Sequence, residues 1–230
     1  MLGPNGFGAL CMIALVLWWV YCRNPLPAAM IAVGLVCSLT RAAWVGAAVA
    51  IALLAVMMHQ KRRFALYSTF ALGLFAMSIP VLGLSDYIFA AKTGQDTSAD
   101  WHKDTISDGL KFAAGHPFGA GNDKIGPIAL KEDRNALVFE TTYPALAAEY
   151  GIAPAVCLVG FLLSALYLVW KEKSNLGYAA VGILVAMFLV TIVTLPLDDR
   201  RLASWAMFPV GLGIRSYLKS VDSKVETRRV

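Results

Sequence analysis

Five side chains in this sequence are of types and in places that could do chemistry: Arg41, His102, His116, Glu140 and Glu149. Arg41 sits in Ser38-Leu39-Thr40-Arg41-Ala42-Ala43-Trp44, between two uncharged runs with almost no loop around it. A charge so close to apolar sequence is costly and usually faces a wet cavity or a partner. It has two readings. It is an interfacial arginine that snorkels to headgroups, or it is a fixed cation at the mouth of a cavity. In the second role its planar, permanently charged fork suits an anionic group such as pyrophosphate. Glu140 and Glu149 flank Glu140-Thr141-Thr142-Tyr143-Pro144-Ala145-Leu146-Ala147-Ala148-Glu149, just before a long apolar run. A desolvated carboxylate there has a raised proton affinity and can take the proton of a sugar hydroxyl. An acid at a helix N-terminus, favoured by the helix dipole, is the competing reading. It is preferred for Glu149, and for Glu140 the two stand level. His102 and His116 are acid–base groups by type, although a single histidine is more often a surface or turn residue.

The elements that must position these groups are membrane helices. The chain has 230 residues, 58% apolar and only 15% charged, whereas soluble domains run nearer about a quarter charged. Seven long runs are free of charge: 1–22, 24–40, 42–58, 64–85, 150–170, 174–197 and 202–214. About 20 helical residues cross the hydrocarbon core. The composition predicts an all-α, polytopic membrane helix bundle of about seven transmembrane spans. Helices 1–4 occupy residues 1–84 and helices 5–7 occupy 144–218. One large external loop, 85–143, separates them, and a basic tail covers 219–230. The first run has no basic start and no small-residue cleavage site, so it is expected to stay in the mature chain.

Basic residues near span ends remain on the cytoplasmic side. Lys61-Arg62-Arg63, Lys171 with Lys173, and the tail with Lys219, Lys224, Arg228 and Arg229 therefore lie inside. Arg23 is also inside. Arg41, the loop 85–143, the turn Asp198-Asp199-Arg200-Arg201 and the N-terminus are outside. The loop carries nine acids against six Lys and Arg residues, which leaves six against fourteen for the rest. The net charge of +5 is thus a topology signature. The bases never form one face with interleaved aromatics, so a nucleic-acid partner is not expected. An external N-terminus without a signal suggests the later part of a longer protein.

Within the loop, Trp101–Ala114 predicts a helix lying on the membrane surface. Ile106, Leu110 and Ala113 or Ala114 take one side. Asp104, Asp108 and Lys111 take the other, and Ser98 or Asp100 is a candidate cap. Gly115-His116-Pro117-Phe118-Gly119-Ala120-Gly121-Asn122 follows. Its glycines read as turn residues, because no strand precedes them as a nucleotide fold requires. His59, His102 and His116 lack ligand spacing, so no metal site is expected. Cys11, Cys22, Cys37 and Cys157 read as small buried hydrophobes.

Four elements together resemble the C-terminal portion of the O-antigen ligase and polysaccharide (exopolysaccharide) polymerase superfamily of bacterial inner membranes. Pro4-Asn5-Gly6-Phe7-Gly8 resembles its Pro-Asn-x-x-(Ala/Gly) element. Thr40-Arg41-Ala42-Ala43-Trp44 resembles its Ser-Arg-Gly element between two spans. His116-Pro117-Phe118-Gly119-Ala120-Gly121 resembles its His-Pro-(Leu/Phe)-x-Gly-x-Gly after the outer amphipathic helix. Glu140 to Gly151 resembles the stretch that opens the next span and ends in Glu-x-Gly. The resemblance covers nearly the whole chain, and the ordered set is more specific than any one motif.

The resemblance implies membrane glycosyl transfer at the outer face of the inner membrane. The donor is an undecaprenyl-pyrophosphate-linked glycan, and the other partners are a glycan acceptor and the lipid bilayer. It implies neither a metal nor a cofactor. It maps the pyrophosphate-contacting arginine to Arg41. The family's second arginine, at the start of the amphipathic helix, falls near His102. His102 and Lys103 are the substitutes on offer, His102 being also a candidate catalytic group. Lys103, Arg134 and Arg200 are expected to assist Arg41. Ligases place a histidine where this chain has Glu140. A carboxylate there points to the polymerase branch, with Glu140 as the catalytic proton acceptor and the ligase proper as the alternative. Relatives are about twice as long, with extra spans before the Pro-Asn element, so a truncated, inactive fragment is a further alternative. A non-enzymatic transporter or structural subunit is the rival class. Pro80, Pro154 and Pro196 could break spans in the way transporters use, but no internal repeat supports that rival.

Overall fold

The computed structural model describes residues 4–22, 24–60, 62, 64–65, 97–121, 139, 141–193 and 200–227. Among these residues the chain is helical, without strands. The helices are α1 (Pro4–Tyr21), α2 (Pro25–Cys37), α3 (Arg41–Met57), α4 (Thr97–Gly115), α5 (Thr142–Tyr150), α6 (Ile152–Trp170), α7 (Asn175–Val193) and α8 (Arg200–Thr227). They divide into two compact units: 1–64 with 159–191 and 196–230, and 65–158 with 192–195.

Three helices among the described residues are long and apolar enough to cross a membrane: α1, α6 and the Asn175–Ile192 part of α7. The run 24–40 gives a shorter helix than its length suggests. α2 holds 13 residues, about 20 Å at a rise of about 1.5 Å each. It stops because the Ser38 hydroxyl donates back to Leu35 O at 2.6 Å and Leu39 turns left-handed at φ 52°. The 17 residues of α3 span about 26 Å by the same rise. The fourth run, 64–85, lies outside the described residues beyond Ala65. Run 202–214 forms the first half of α8, which continues helical through Lys219 to Thr227.

In the first unit α1 packs against α2, α3 and α8, burying Met12, Ile13, Val16 and Trp19. Small residues let α3 and α7 close on it, the usual device between apolar helices. A Cβ on Gly46 would meet Met12 Sδ at 2.8 Å and Ala186 O at 3.2 Å, and one on Gly182 would meet Leu54 and Val16. Gly213 does the same for α8 against Ala180 of α7 and Val169 of α6. The outward faces are apolar too: Leu26 and Met30 on α2, and Phe161, Leu163 and Tyr167 on α6, are exposed. Water would make such surfaces costly, and lipid does not. Pro154 falls in the first turn of α6, where a missing N–H costs nothing, so it breaks no span. Of the cysteines only Cys11 is buried; Cys22, Cys37 and Cys157 are exposed, so the expectation of four buried thiols is corrected.

In the second unit α4 packs on α5. Two differences from the sequence expectation stand out. The described helix already runs from Thr97, so Ser98 and Asp100 lie within it. The packed face is Thr105, Gly109, Phe112 and Ala113, while Leu110 is 58% exposed and Ala114 is exposed. The cause is close backbone approach: a Cβ on Gly109 would stand 2.7 Å from Pro144 Cβ and 3.2 Å from Phe139 Cδ1. Two small clusters form there, Phe139 with Ala145 and Ala148, and Ala113 with Ala147 and Ala155. The Lys111–Asp108 pair at 3.3 Å is exposed and adds little stability.

Candidate functional site

The first site element is the α2–α3 turn. Thr40 is the N-cap of α3, in extended conformation, yet its side chain does not cap that helix. It turns towards the start of α1 instead. Its hydroxyl lies 3.2 Å from Pro4 O, 3.3 Å from Asn5 Oδ1 and 3.2 Å from Ser38 O. One proton serves one of these acceptors at a time. Gly8 allows the approach, since a Cβ there would meet Ser38 Oγ at 2.7 Å and Thr40 Cβ at 2.9 Å. Below the turn, Trp44 Nε1 donates to Leu35 O at 2.7 Å. The Pro-Asn element and the Thr-Arg element, separate in sequence, are therefore one piece of structure.

Arg41 is the first residue of α3 and is half-buried. A cation there opposes the helix dipole, whose N-terminal end is already positive. The turn that carries it is fixed on both sides. An arginine that opens a helix adds its charge to an end that is already positive, a combination suited to an anion.

Replacing Thr40 by valine removes the hydroxyl and little volume. One hydrogen bond is lost from a buried turn, at about 1 kcal/mol. Thermal melting in detergent is expected to show a lower Tm for Thr40→Val and a near-native one for Thr40→Ser.

A second candidate element, described by itself, lies in the other unit. α4 ends at Gly115, and the His116–Gly121 stretch folds back on the α5–α6 junction. Ala120 N donates to Ala148 O at 2.8 Å, Gly121 N to Glu149 O at 3.0 Å, and Ile152 N to Pro117 O at 3.0 Å. Gly119 and Gly151 face each other with φ of 81° and 98°. A Cβ on Gly119 would strike Glu149 O, and one on Gly151 would sit 2.7 Å from Pro117 O. The glycines are thus required both by backbone conformation and by space. The His-Pro element and the Glu-x-Gly element are a second joined pair.

His116 caps this clasp. Its ring stacks on Phe112 at 4.2 Å with 13° between planes, and its Nδ1 lies 3.1 Å from Phe112 O. A carbonyl only accepts, so Nδ1 is the donor in this contact. His116 is exposed. It is a surface residue whose ring is oriented by Phe112. The sequence signal for this was the aromatic residue four positions earlier.

Glu149 corrects an expectation. It is the penultimate residue of α5, half-buried, and therefore not at a helix N-terminus. The dipole disfavours an acid there. Its backbone oxygen serves the clasp.

Of the other residues singled out from sequence, His102 and Lys103 lie on α4 and Arg200 opens α8; their side chains are not among those described. Arg134 and Glu140 lie outside the described residues. Thr141, next to Glu140, is fully buried, and its hydroxyl makes no hydrogen bond among the described residues.

The O-antigen ligase family model matches residues 26–152, which is more than half of the chain. The match runs from α2 through the α2–α3 turn and α4 and ends at Ile152, where the clasp closes. No curated protein and no solved structure matches the chain. The chain is a helical membrane protein that belongs to the O-antigen ligase family.

Proposed function

We propose that this protein extends a polysaccharide by transferring glycan from an undecaprenyl-pyrophosphate carrier at the outer face of the bacterial inner membrane. The observation that carries this is Arg41: a cation fixed at the positive end of α3, in a turn locked to α1 through Thr40 and Gly8. Its planar, permanent charge suits the anionic pyrophosphate that leaves.

The step is a displacement at the anomeric carbon. The acceptor hydroxyl oxygen forms the new bond to C1 of the donor sugar, and its proton passes to the Glu140 carboxylate. The bond from C1 to the phosphate oxygen breaks, and undecaprenyl pyrophosphate leaves with both electrons. Arg41 stabilises the charge on the leaving pyrophosphate, assisted by Lys103, Arg134 and Arg200. His102 is the second acid–base candidate. The polyprenyl tail lies along the spans. The seven-span topology, with loop 85–143 periplasmic and the tail cytoplasmic, belongs to the same proposal. Glu140, where ligases carry histidine, favours polymerisation. The family match itself is described as O-antigen ligase and favours ligation as the second reading.

A deletion strain tests the proposal. Shortened polymer with lipid-linked repeat units accumulating is the expected profile. Loss of glycan attachment to lipid with normal polymer length indicates the ligase. Unchanged glycans with altered solute uptake overturn both.

A further inference from the structure

The α6–α7 turn at the other end of α6 sorts its charges in a way that span topology alone does not require. Lys171, Glu172 and Lys173 follow one another, yet they part company in space. Lys171 and Lys173 are exposed, while Glu172 is half-buried. Gly177 draws Glu172 inward, since a Cβ there would meet Glu172 Cβ and Cγ at 2.8 Å. Ser216 Oγ on α8 then donates to Glu172 Oε1 at 3.3 Å. The Ser174 hydroxyl accepts from Gly177 N at 3.2 Å, which fixes the turn on α7. The acid is withdrawn and bonded, and the two cations are left at the surface.

Each cation stands against an aromatic ring. Lys171 Nζ lies 4.1 Å from the centre of the Tyr167 ring and donates to its hydroxyl at 2.5 Å. Lys173 Nζ lies 5.9 Å from the centre of the Trp170 ring. Tyr167 and Trp170 are themselves exposed, at 60% and 44%. The Tyr167 hydroxyl holds the Lys171 ammonium above the ordinary lysine pKa, and Tyr217 adds to this. Arg215 and Lys219, four apart on the α8 segment that carries Ser216, are also exposed. Amphipathic rings beside ammonium groups at the end of a span form an interfacial surface.

We propose that the Lys171–Ser174 turn, with Tyr167, Trp170 and the Arg215–Lys219 turn of α8, binds the headgroup of an anionic phospholipid. Charge complementarity selects the occupant. Among the described side chains, four exposed cations meet one withdrawn acid, at the end of a helix whose apolar sides require acyl chains. This proposal rests on the membrane character of the chain and not on its glycan chemistry, so either can fail alone.

The test uses the purified full chain in detergent, with native mass spectrometry to count retained lipid. Phosphatidylglycerol and phosphatidylcholine are the two probes, and inorganic phosphate is the competitor. Near a charged lipid surface each cation is worth about fivefold in affinity. Wild type is expected to retain phosphatidylglycerol over phosphatidylcholine. Lys171→Gln with Lys173→Gln is expected to weaken phosphatidylglycerol retention by about 25-fold. Phosphatidylcholine retention and Tm stay unchanged. Glu172→Gln is expected to leave phosphatidylglycerol retention intact or raise it. Equal retention of the two lipids by wild type overturns the proposal. So does undiminished phosphatidylglycerol retention in the double variant, or displacement of the lipid by millimolar phosphate alone.

Discussion

Arg41→Ala is expected to cut glycan transfer by about 10²–10³-fold, the usual loss when one charge-stabilising donor is removed from a reacting centre. Its thermal stability is expected to change far less. Arg41 opens α3, where a cation costs about 0.3–1 kcal/mol at the surface, which offsets part of what its own contacts contribute. Activity therefore falls by more than the change in Tm accounts for, which a purely structural role does not produce. Arg41→Lys keeps the charge and loses the planar fork, so its activity falls between the two. Transfer assays on the purified full chain, paired with melting curves, read all three. A matched drop in Tm and activity for Arg41→Ala returns Arg41 to a headgroup-snorkelling residue.

The second large effect is expected at Gly151. Its φ of 98° and ψ of 171° fall in a region that essentially only glycine occupies, at a cost of about 1–3 kcal/mol for another residue. The Cβ of alanine would also stand 2.7 Å from Pro117 O and 2.9 Å from Phe118 C. Both are backbone atoms held by the Ile152 N to Pro117 O bond, so neither side can yield cheaply. Gly151→Ala is expected to open the clasp, lower Tm by several degrees and expose residues 116–121 to protease. Gly119→Ala breaks the same contact. The double variant is therefore expected to be little worse than either single one, because coupled sites do not add. Melting curves and limited proteolysis check this; an unchanged Tm for Gly151→Ala contradicts the clasp.

Hydropathy made α1, α6 and α7 legible, because length without charge is all that a span needs. It could not end α2 at Cys37. The run stays uncharged to Thr40, and the stop is a hydroxyl bonding back to Leu35 O. It did not foresee which residues of α4 pack on α5. Periodicity grouped Ile106, Leu110 and Ala113 or Ala114 on one side, whereas Gly109 and Ala113 decide that packing by letting backbones approach. Arg41 was visible as a charge that apolar neighbours should exclude. The joining of motifs was not visible. Thr40 meets Pro4 across 36 positions, and Ile152 meets Pro117 across a segment with no periodic link between them. Glu149 was misplaced for the same reason: the break at Gly151 makes it the end of one helix and not the start of the next.

The central claim is that this chain releases a polyprenyl pyrophosphate as it makes a glycosidic bond, with Arg41 on the leaving group and Glu140 on the proton. The most direct measurement counts both products from one reaction. The purified full chain is incubated with an undecaprenyl-pyrophosphate-linked oligosaccharide, alongside Arg41→Ala and Glu140→Gln. The expected result is polyprenyl pyrophosphate released one for one with new glycosidic bonds by wild type, and about 100-fold less of both, or lower still, by either variant. Equal release by all three, or bond formation without release, contradicts it.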